Sequence, residues 1–363
     1  PVPLCRAPYG QRPDWKPADP PLKLPLAQTL LGLDGARATV GNPCAIWDAR
    51  RRRVVLLVTA TVGGLSEPEV WSTEAGWAAR RVFVLFSVDG GASWSEARDL
   101  TEAVKPQDWT WYATGPGVGI QLRGTGRLVA PCDHVVTRRR AAWPARVELH
   151  SHVLLSDDGG DTWQVSAVAA EGTNECQLVE LSGGRLLLSM RDFSGRCLRR
   201  FASSGNGGRT WQEHSDAAEL SEPQPGGCQA SLLRVHAGAP SPRRGAGVQE
   251  QKELVVHCGP AAADGSRADL VLRVSSDGGL TWPRAVALLP ERPGAYSCMA
   301  LLPGPAGSGD SCIGVLFESG ARGPYECLRL ARVPLPPQGR AEPEQRAPGG
   351  GAGGLGGEQR APG

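Results

Sequence analysis

Apolar residues in this 363-residue chain fall in short runs, each closed by glycine, aspartate, serine or proline. "VVLLVTA" (54–60), "RVFVLF" (81–86), "GRLVAP" (126–131), "HVLL" (152–155) and "GRLLLSM" (184–190) are of this kind. So are "ELVVHCG" (253–259), "ADLVLRV" (268–274) and "CIGVLFE" (312–318), with "RRFAS" (199–203) a weaker member. Runs this short, rich in Val and Leu and without a 3.6-residue period, predict strands. Their density predicts an all-β chain of repeated antiparallel sheets.

One polar stretch recurs between the runs. "SVDGGASW" (87–94), "SDDGGDTW" (156–163), "SGNGGRTW" (204–211) and "SSDGGLTW" (275–282) begin 69, 48 and 71 residues apart. Gly-Gly permits the positive φ of a tight hairpin, and the Asp carboxylate accepts hydrogen bonds from the turn's own N–H groups. The closing Trp is expected to fold back and seal the unit. Irregular spacing argues against a solenoid and for sheets of about 40–50 residues with variable loops. Radial repetition of such sheets is a β-propeller. The motif is read as structural, so Asp89, Asp158, Asp277 and the substituted Asn206 receive no catalytic role.

Composition sharpens this picture. Lys+Arg number 39 against 37 Asp+Glu, so bulk nucleic-acid binding is not indicated. The arginine runs at 50–53 and 138–140 read as solvated turns. The 48 Gly and 31 Pro fit a turn-rich β protein. Ten cysteines stand singly with no CxxC pair, so they are read as core residues or free thiols, with no structural metal implied. No apolar run approaches the roughly 18 residues of a membrane span. The chain opens on Pro1 with a Pro-rich, unmatched segment (1–39) lacking a signal-peptide pattern, which suggests processing or a fragment. Residues 237–252 read as a polar insertion, and 337–363, with "EQRAPG" twice, as a disordered tail.

The four turns resemble the Asp boxes of the sialidase (neuraminidase) family. "VGNPCAIWD" (40–48), "WTWYATGPGVGIQL" (109–122), "NECQLVEL" (174–181), "CQASLL" (228–233), "RADLVLR" (267–273), "GAYSCMALLPG" (294–304) and "FESGARGPYECLRLAR" (317–332) are similar, in order, to segments of exo-α-sialidases. The resemblance covers 40–335 and implies a six-bladed propeller domain over 40–336. It also implies hydrolysis of terminal α-linked sialic acid from glycoproteins, gangliosides and oligosaccharides, without a cofactor. By the same resemblance Tyr296 matches the catalytic tyrosine, Glu175 its partner, and Arg191 and Arg267 two members of the triad that holds the sugar carboxylate. Tyr112 and Trp111 are candidates to stack on the sugar, and His150 and His152 are read as structural.

The residue types suit the implied reaction. Sialic acid bears its carboxylate on the anomeric carbon, where a carboxylate nucleophile would meet like charge. A tyrosine hydroxyl deprotonated by a glutamate avoids this, and implies retention through a tyrosyl-enzyme intermediate. Guanidinium forks bind a carboxylate bidentately at any working pH.

Two family motifs have no counterpart before residue 40: the Arg-Ile-Pro stretch that supplies the first triad arginine, and the acid/base aspartate. "CRAPYG" (5–10) lacks the flanking apolar residues, and Asp14, Asp19 and Asp34 stand in no matching context. Most of blade one is therefore expected to be missing, leaving five sheets and two exposed edges. Cys298 stands where the family usually has Asp. Two alternatives follow: a catalytically impaired sialoglycan-binding propeller, or an Asp-box interaction scaffold that would not gather the four site residues.

Overall fold

The computed structural model describes residues 5–6, 38–72, 75–138, 146–214, 217–237, 252–303 and 311–335. Nearly all of the expected 1–39 segment, most of the 237–252 insertion and the 337–363 tail lie outside the described residues. Fifteen strands of five or more residues carry the fold, and the helices are short.

Sheet one contains β1 (Ala38–Asp48), β2 (Arg53–Val62) and β3 (Arg80–Ser87), with Arg98–Asp99 at its outer edge. Sheet two contains β4 (Trp109–Thr114), β5 (Leu128–Arg138) and β6 (Arg146–Ser156), edged by Gln164–Val165. Sheet three contains β7 (Thr173–Glu180), β8 (Leu186–Asp192) and β9 (Arg200–Ser204), edged by Gln212–Glu213. Sheet four runs β10 (Ser231–Ala237), β11 (Lys252–Pro260), β12 (Ala268–Ser275), β13 (Arg284–Pro303), β14 (Ser311–Ser319) and β15 (Cys327–Pro334).

The result is a β-propeller. Its blades number four by hydrogen bonding where the sequence suggests five, because the 20-residue β13 serves two units. Its first half pairs with β12 up to Ala268↔Pro293, and its second half pairs with β14 from Gly294↔Ser319. A two-residue strand not marked by the sequence pattern, Cys5–Arg6, adds in parallel to the first half of β13.

The core lies between successive sheets. Ile46, Val55 and Leu57 of sheet one pack with Leu128, Ala130 and Leu154 of sheet two. Val129 and Val153, on the other face of sheet two, pack with Leu178, Leu186 and Leu188 of sheet three. Leu187 and Phe201 pack in turn with Leu232, Val255 and Trp282. Each buried Val, Leu, Ile or Phe among them contributes about 1.5–3 kcal/mol. Central strands apolar on both faces are what the continuous, non-alternating runs encode.

Each repeated turn joins the third strand of a sheet to the next strand, which is the outer edge in sheets one to three and β13 in sheet four. In the second copy Ser156 Oγ donates to Asp158 Oδ1 at 2.8 Å, Thr162 N to the same oxygen at 2.9 Å, and Thr162 Oγ1 to Oδ2 at 2.6 Å. The other copies repeat the pattern, with Asn206 Oδ1 accepting from Thr210 N at 3.1 Å. The second glycine is always at positive φ, and in the last three copies it docks on the preceding sheet. A Cβ on Gly160 would sit 3.3 Å from Val55, one on Gly208 3.1 Å from Leu155, and one on Gly279 2.4 Å from Leu187. Trp163 and Trp282 are buried, and Trp94 and Trp211 half-buried.

Between 61 and 80, where the sequence pattern marks no element, the chain forms α1 (Glu67–Ser72) and α2 (Ala75–Ala79). Ser66 opens α1 with the glutamate half of a capping box: its N and Oγ both donate to Glu69 Oε2, at 2.7 and 2.6 Å.

Candidate active site

The inner strands share an irregularity. Register slips between Gly41 and Cys44 in β1, Trp109 and Trp111 in β4, Thr173 and Cys176 in β7, and Gly294 and Ser297 in β13. A bulge frees residues from the ladder and re-aims their side chains. The residues released are Asn42, Asn174–Glu175 and Tyr296. They converge on one cavity of about 360 Å³.

Every sheet contributes to its wall. Sheet one and α1 provide Asn42, Glu67 and Trp71, sheet two provides Trp111, Ala113 and Asp133, and sheet three provides Asn174, Glu175, Arg191 and the adjoining Phe193. Arg267, just before β12, and Tyr296 complete it. Four of the five residues expected at the site are thus together, which removes the Asp-box scaffold that would have left them scattered. Tyr112 is the exception. It is fully buried, and its hydroxyl lies 2.9 Å from His152 Nε2 in a core cluster with Trp109 and His134. Adjacent strand residues face opposite ways, so Trp111 reaches the cavity and Tyr112 cannot.

The polar centre is tightly connected. Tyr296 OH donates to Glu175 Oε1 at 2.7 Å. Arg191 Nη1 donates to Glu175 Oε2 at 2.7 Å and to the Tyr296 oxygen at 3.2 Å. Burial, reinforced by the Glu175 charge, raises the Tyr296 pKa far above that of an ordinary phenol. Arg191 is buried, which opposes its charge, but Glu175 and Tyr296 more than offset this and hold it protonated. The Arg267 guanidinium carbon lies 5.7 Å from the Tyr296 ring centroid, and its Nη1 donates to the exposed Tyr325 hydroxyl at 2.7 Å.

The turn at 225–227 holds both arginines. Gly226 O accepts from Arg191 Nε at 2.6 Å, and Gly227 O from Arg267 Nη2 at 3.0 Å. Beneath it the buried Glu222 accepts from Cys228 N at 2.8 Å and from Arg199 Nη1 at 2.8 Å. A Cβ on Gly227 would lie 2.8 Å from Glu222 Oε2 and 2.9 Å from Asp192 O, so only glycine fits. This support was missed in the sequence, although Pro-Gly-Gly at 225–227 is a turn signal.

Trp71 stands edge-on to both Trp111 and Phe193, with centroids 6.2 Å apart in each pair. Glu67 sits on the rim with no hydrogen bond among the described residues, and partial burial raises its pKa against the opposing pull of Arg80. The capping box around Ser66 was the available signal for the helix that places Glu67 and Trp71. Nine described cysteines are free, six of them buried. Among the described residues no group of three His, Cys, Asp or Glu is placed to hold a metal. The chemistry available is that of a phenol paired to a carboxylate base, beside two cations suited to an anionic ligand.

Comparison with known proteins gives the same direction. The BNR repeat-like domain family matches residues 24–308. A sialidase of Bacteroides fragilis (strain YCH46) is 30% identical over 322 residues, 86% of this chain and 54% of that one. Rattus norvegicus Sialidase-3 is 35% identical over 199 residues, 53% of this chain and 47% of its own length. The chain thus spans about half the length of these relatives. Among solved structures, Hadza microbial sialidase Hz136 superposes with a TM-score of 0.66 at 27% identity, covering 84% of this chain and 54% of that chain. The Ruminococcus gnavus intramolecular trans-sialidase, at 17% identity and a TM-score of 0.63 over 82% of this chain and 78% of its own, shares the fold.

Proposed function

The chain belongs to the sialidase family of BNR-repeat β-propellers, and from that premise we propose that its cavity hydrolyses a terminal α-linked sialic acid with retention of configuration. The observation that carries this reading is the Tyr296–Glu175–Arg191 constellation, joined by hydrogen bonds of 2.7, 2.7 and 3.2 Å. Arg267, whose guanidinium lies near the Tyr296 ring, and Arg191 form the cationic side that receives the sugar carboxylate.

In the first step the Tyr296 oxygen attacks the anomeric carbon while its proton passes to Glu175. The bond to the aglycone oxygen breaks, and that oxygen leaves with the bonding pair and takes a proton from solvent. Arg191, within reach of the phenol oxygen, stabilises the charge that develops there. Water then attacks the same carbon from the face the aglycone left and gives up a proton to solvent, and Tyr296 departs as the phenol, taking back the proton held by Glu175. A phenol held so far above its ordinary pKa stays neutral until substrate arrives, so the substrate carboxylate meets no like charge on the nucleophile itself. Glycoproteins, glycolipids and oligosaccharides capped by sialic acid are the substrate class.

An aryl α-sialoside, whose leaving group needs little protonation, tests the reading. Wild type is expected to release the aryl alcohol, and Tyr296→Phe to lose at least about 10³-fold in kcat, as expected when the nucleophile goes. Binding without release by folded wild type favours the sialoglycan-binding alternative, and equal release by wild type and Tyr296→Phe ends the tyrosine mechanism.

A further inference from the structure

Asp133 has no part in the constellation above, yet it lines the same cavity. It sits on β5 opposite Ala113, with 1% of its surface exposed. Oδ2 accepts one hydrogen bond, from Asn174 Nδ2 at 3.2 Å. Oδ1 is buried with no hydrogen-bond partner among the described residues.

The surrounding charges do not compensate it. Glu175 and Glu67 carry its own sign, while Arg80 and Arg191 are the opposing cations. Arg191 is bound to Glu175, Tyr296 and Gly226. Arg80 is bound to the Tyr112 carbonyl at 2.8 Å, to Thr61 at 3.0 Å and to Asn42 Oδ1 at 2.5 Å. A buried carboxyl without an ion pair sheds its charge by keeping its proton. Burial, and then Glu175, accordingly push its pKa well above the carboxylate range. A protonated carboxyl has an O–H to donate, and the described residues offer it no acceptor.

We infer that Asp133 is an un-ionised hydrogen-bond donor to an acceptor oxygen, hydroxyl or amide carbonyl, on a sugar substituent remote from the carboxylate. The placement sets which end of the sugar it meets. Arg267 and Tyr296 come with sheet four and Arg191 with sheet three, whereas Asp133, Trp111 and Ala113 belong to sheet two. A ring whose carboxylate lies on the arginines extends its other substituents toward Asp133. The residue is thus a specificity group that recognises an uncharged oxygen, and it rejects a cationic or oxygen-free substituent by leaving its own O–H unpaired.

This inference rests on the sialoside reading, and its test separates the two. Aryl-sialoside kinetics and binding of 2-deoxy-2,3-didehydro sialic acid are measured on wild type, Asp133→Asn and Asp133→Leu. A second series removes one hydroxyl or the acyl oxygen at a time from the sugar. Asparagine is neutral and keeps a donor, so Asp133→Asn is expected to recover most of the wild-type affinity. Asp133→Leu is expected to raise KM and weaken binding about tenfold, with kcat affected less. One oxygen-deleted sugar is expected to lose affinity on wild type and on Asp133→Asn alike, which holds even if Asp133→Leu fails to fold. Equal losses in the Asn and Leu variants would mean an ionised carboxylate and overturn the inference, as would wild-type indifference to every deletion. Failure of folded wild type to bind the didehydro sugar at all would instead remove the sialoside reading, and this inference with it.

Discussion

Arg191 and Arg267 are the same residue type facing the same cavity, but their surroundings give them different duties. Arg191 is 9% exposed and ion-paired to a glutamate that is 6% exposed. Truncating it would strand the Glu175 charge in a buried site, so Arg191→Ala is expected to cost about 3 kcal/mol of stability as well as activity. Arg267 is half-buried and held by an exposed phenol and one carbonyl. Arg267→Ala is therefore expected to change the urea midpoint little while raising KM for an aryl sialoside about tenfold or more. Measuring midpoint and KM on both variants checks this, and equal midpoint losses would contradict it. Glu222 belongs with Arg191 in this respect, since its loss leaves Arg199, 1% exposed, without its counter-charge and frees the turn that grips both site arginines.

At the scale of the element, the repeated turn is held by a carboxylate that accepts from its own backbone. Hydrogen bonds from Ser93 lower the Asp89 pKa to about 2. Burial opposes the same shift in Asp158 and Asp277, but bonds from Thr162 and Thr281 bring both to about 2. A carboxylate whose folded pKa lies below its ordinary 3.8 stabilises the fold above that value. That contribution is lost as pH falls toward 2. Urea midpoints are expected to drop between about pH 4 and pH 2, and Asp158→Asn with Asp277→Asn to flatten the drop. Asn206 shows that the turn forms without a titrating group. An unchanged acid limb in the double variant would assign the loss to other carboxylates. The docking glycine is equally testable: Gly279→Ala forces a Cβ to within 2.4 Å of Leu187 at a φ of +91°, and is expected to destabilise by about 1–3 kcal/mol.

Across the whole molecule, the cavity draws on every sheet, so ligand binding and global stability should be coupled. Didehydro sialic acid at about 100 times its Kd is expected to add about 2.7 kcal/mol in a single unfolding transition. A biphasic transition in which only one phase responds would show that the sheets unfold independently of the site. Much of this architecture is legible in the sequence, because strand runs and the Ser-x-Asp/Asn-x-Gly-x-Ser/Thr-Trp turns are local signals. Glu175, Arg191, Arg267 and Tyr296 were legible through the segments around them. Asp133, Asn174 and the 225–227 support were not, since their roles arise where strands of different sheets meet. Tyr112 was misplaced because the bulge at Trp109/Trp111 decides which neighbour faces the cavity, and an aromatic pair alone does not reveal it. Glu67 and Trp71 depended on a short capped helix that a search for longer periodicity passes over.

The register slips in β1, β7 and β13 also bear on how this protein can change. Asn42, Asn174–Glu175 and Tyr296 occupy positions that the strand ladders skip, so replacing them removes no rung of the sheet. The propeller can thus retain its architecture while the residues at these positions are exchanged one at a time. Libraries confined to 42, 174 and 296 should retain folded members at far higher frequency than libraries of equal size at 44, 178 and 299, whose side chains fill the core. A chain built this way keeps its inheritance in the ladders and its scope for innovation in the residues between them.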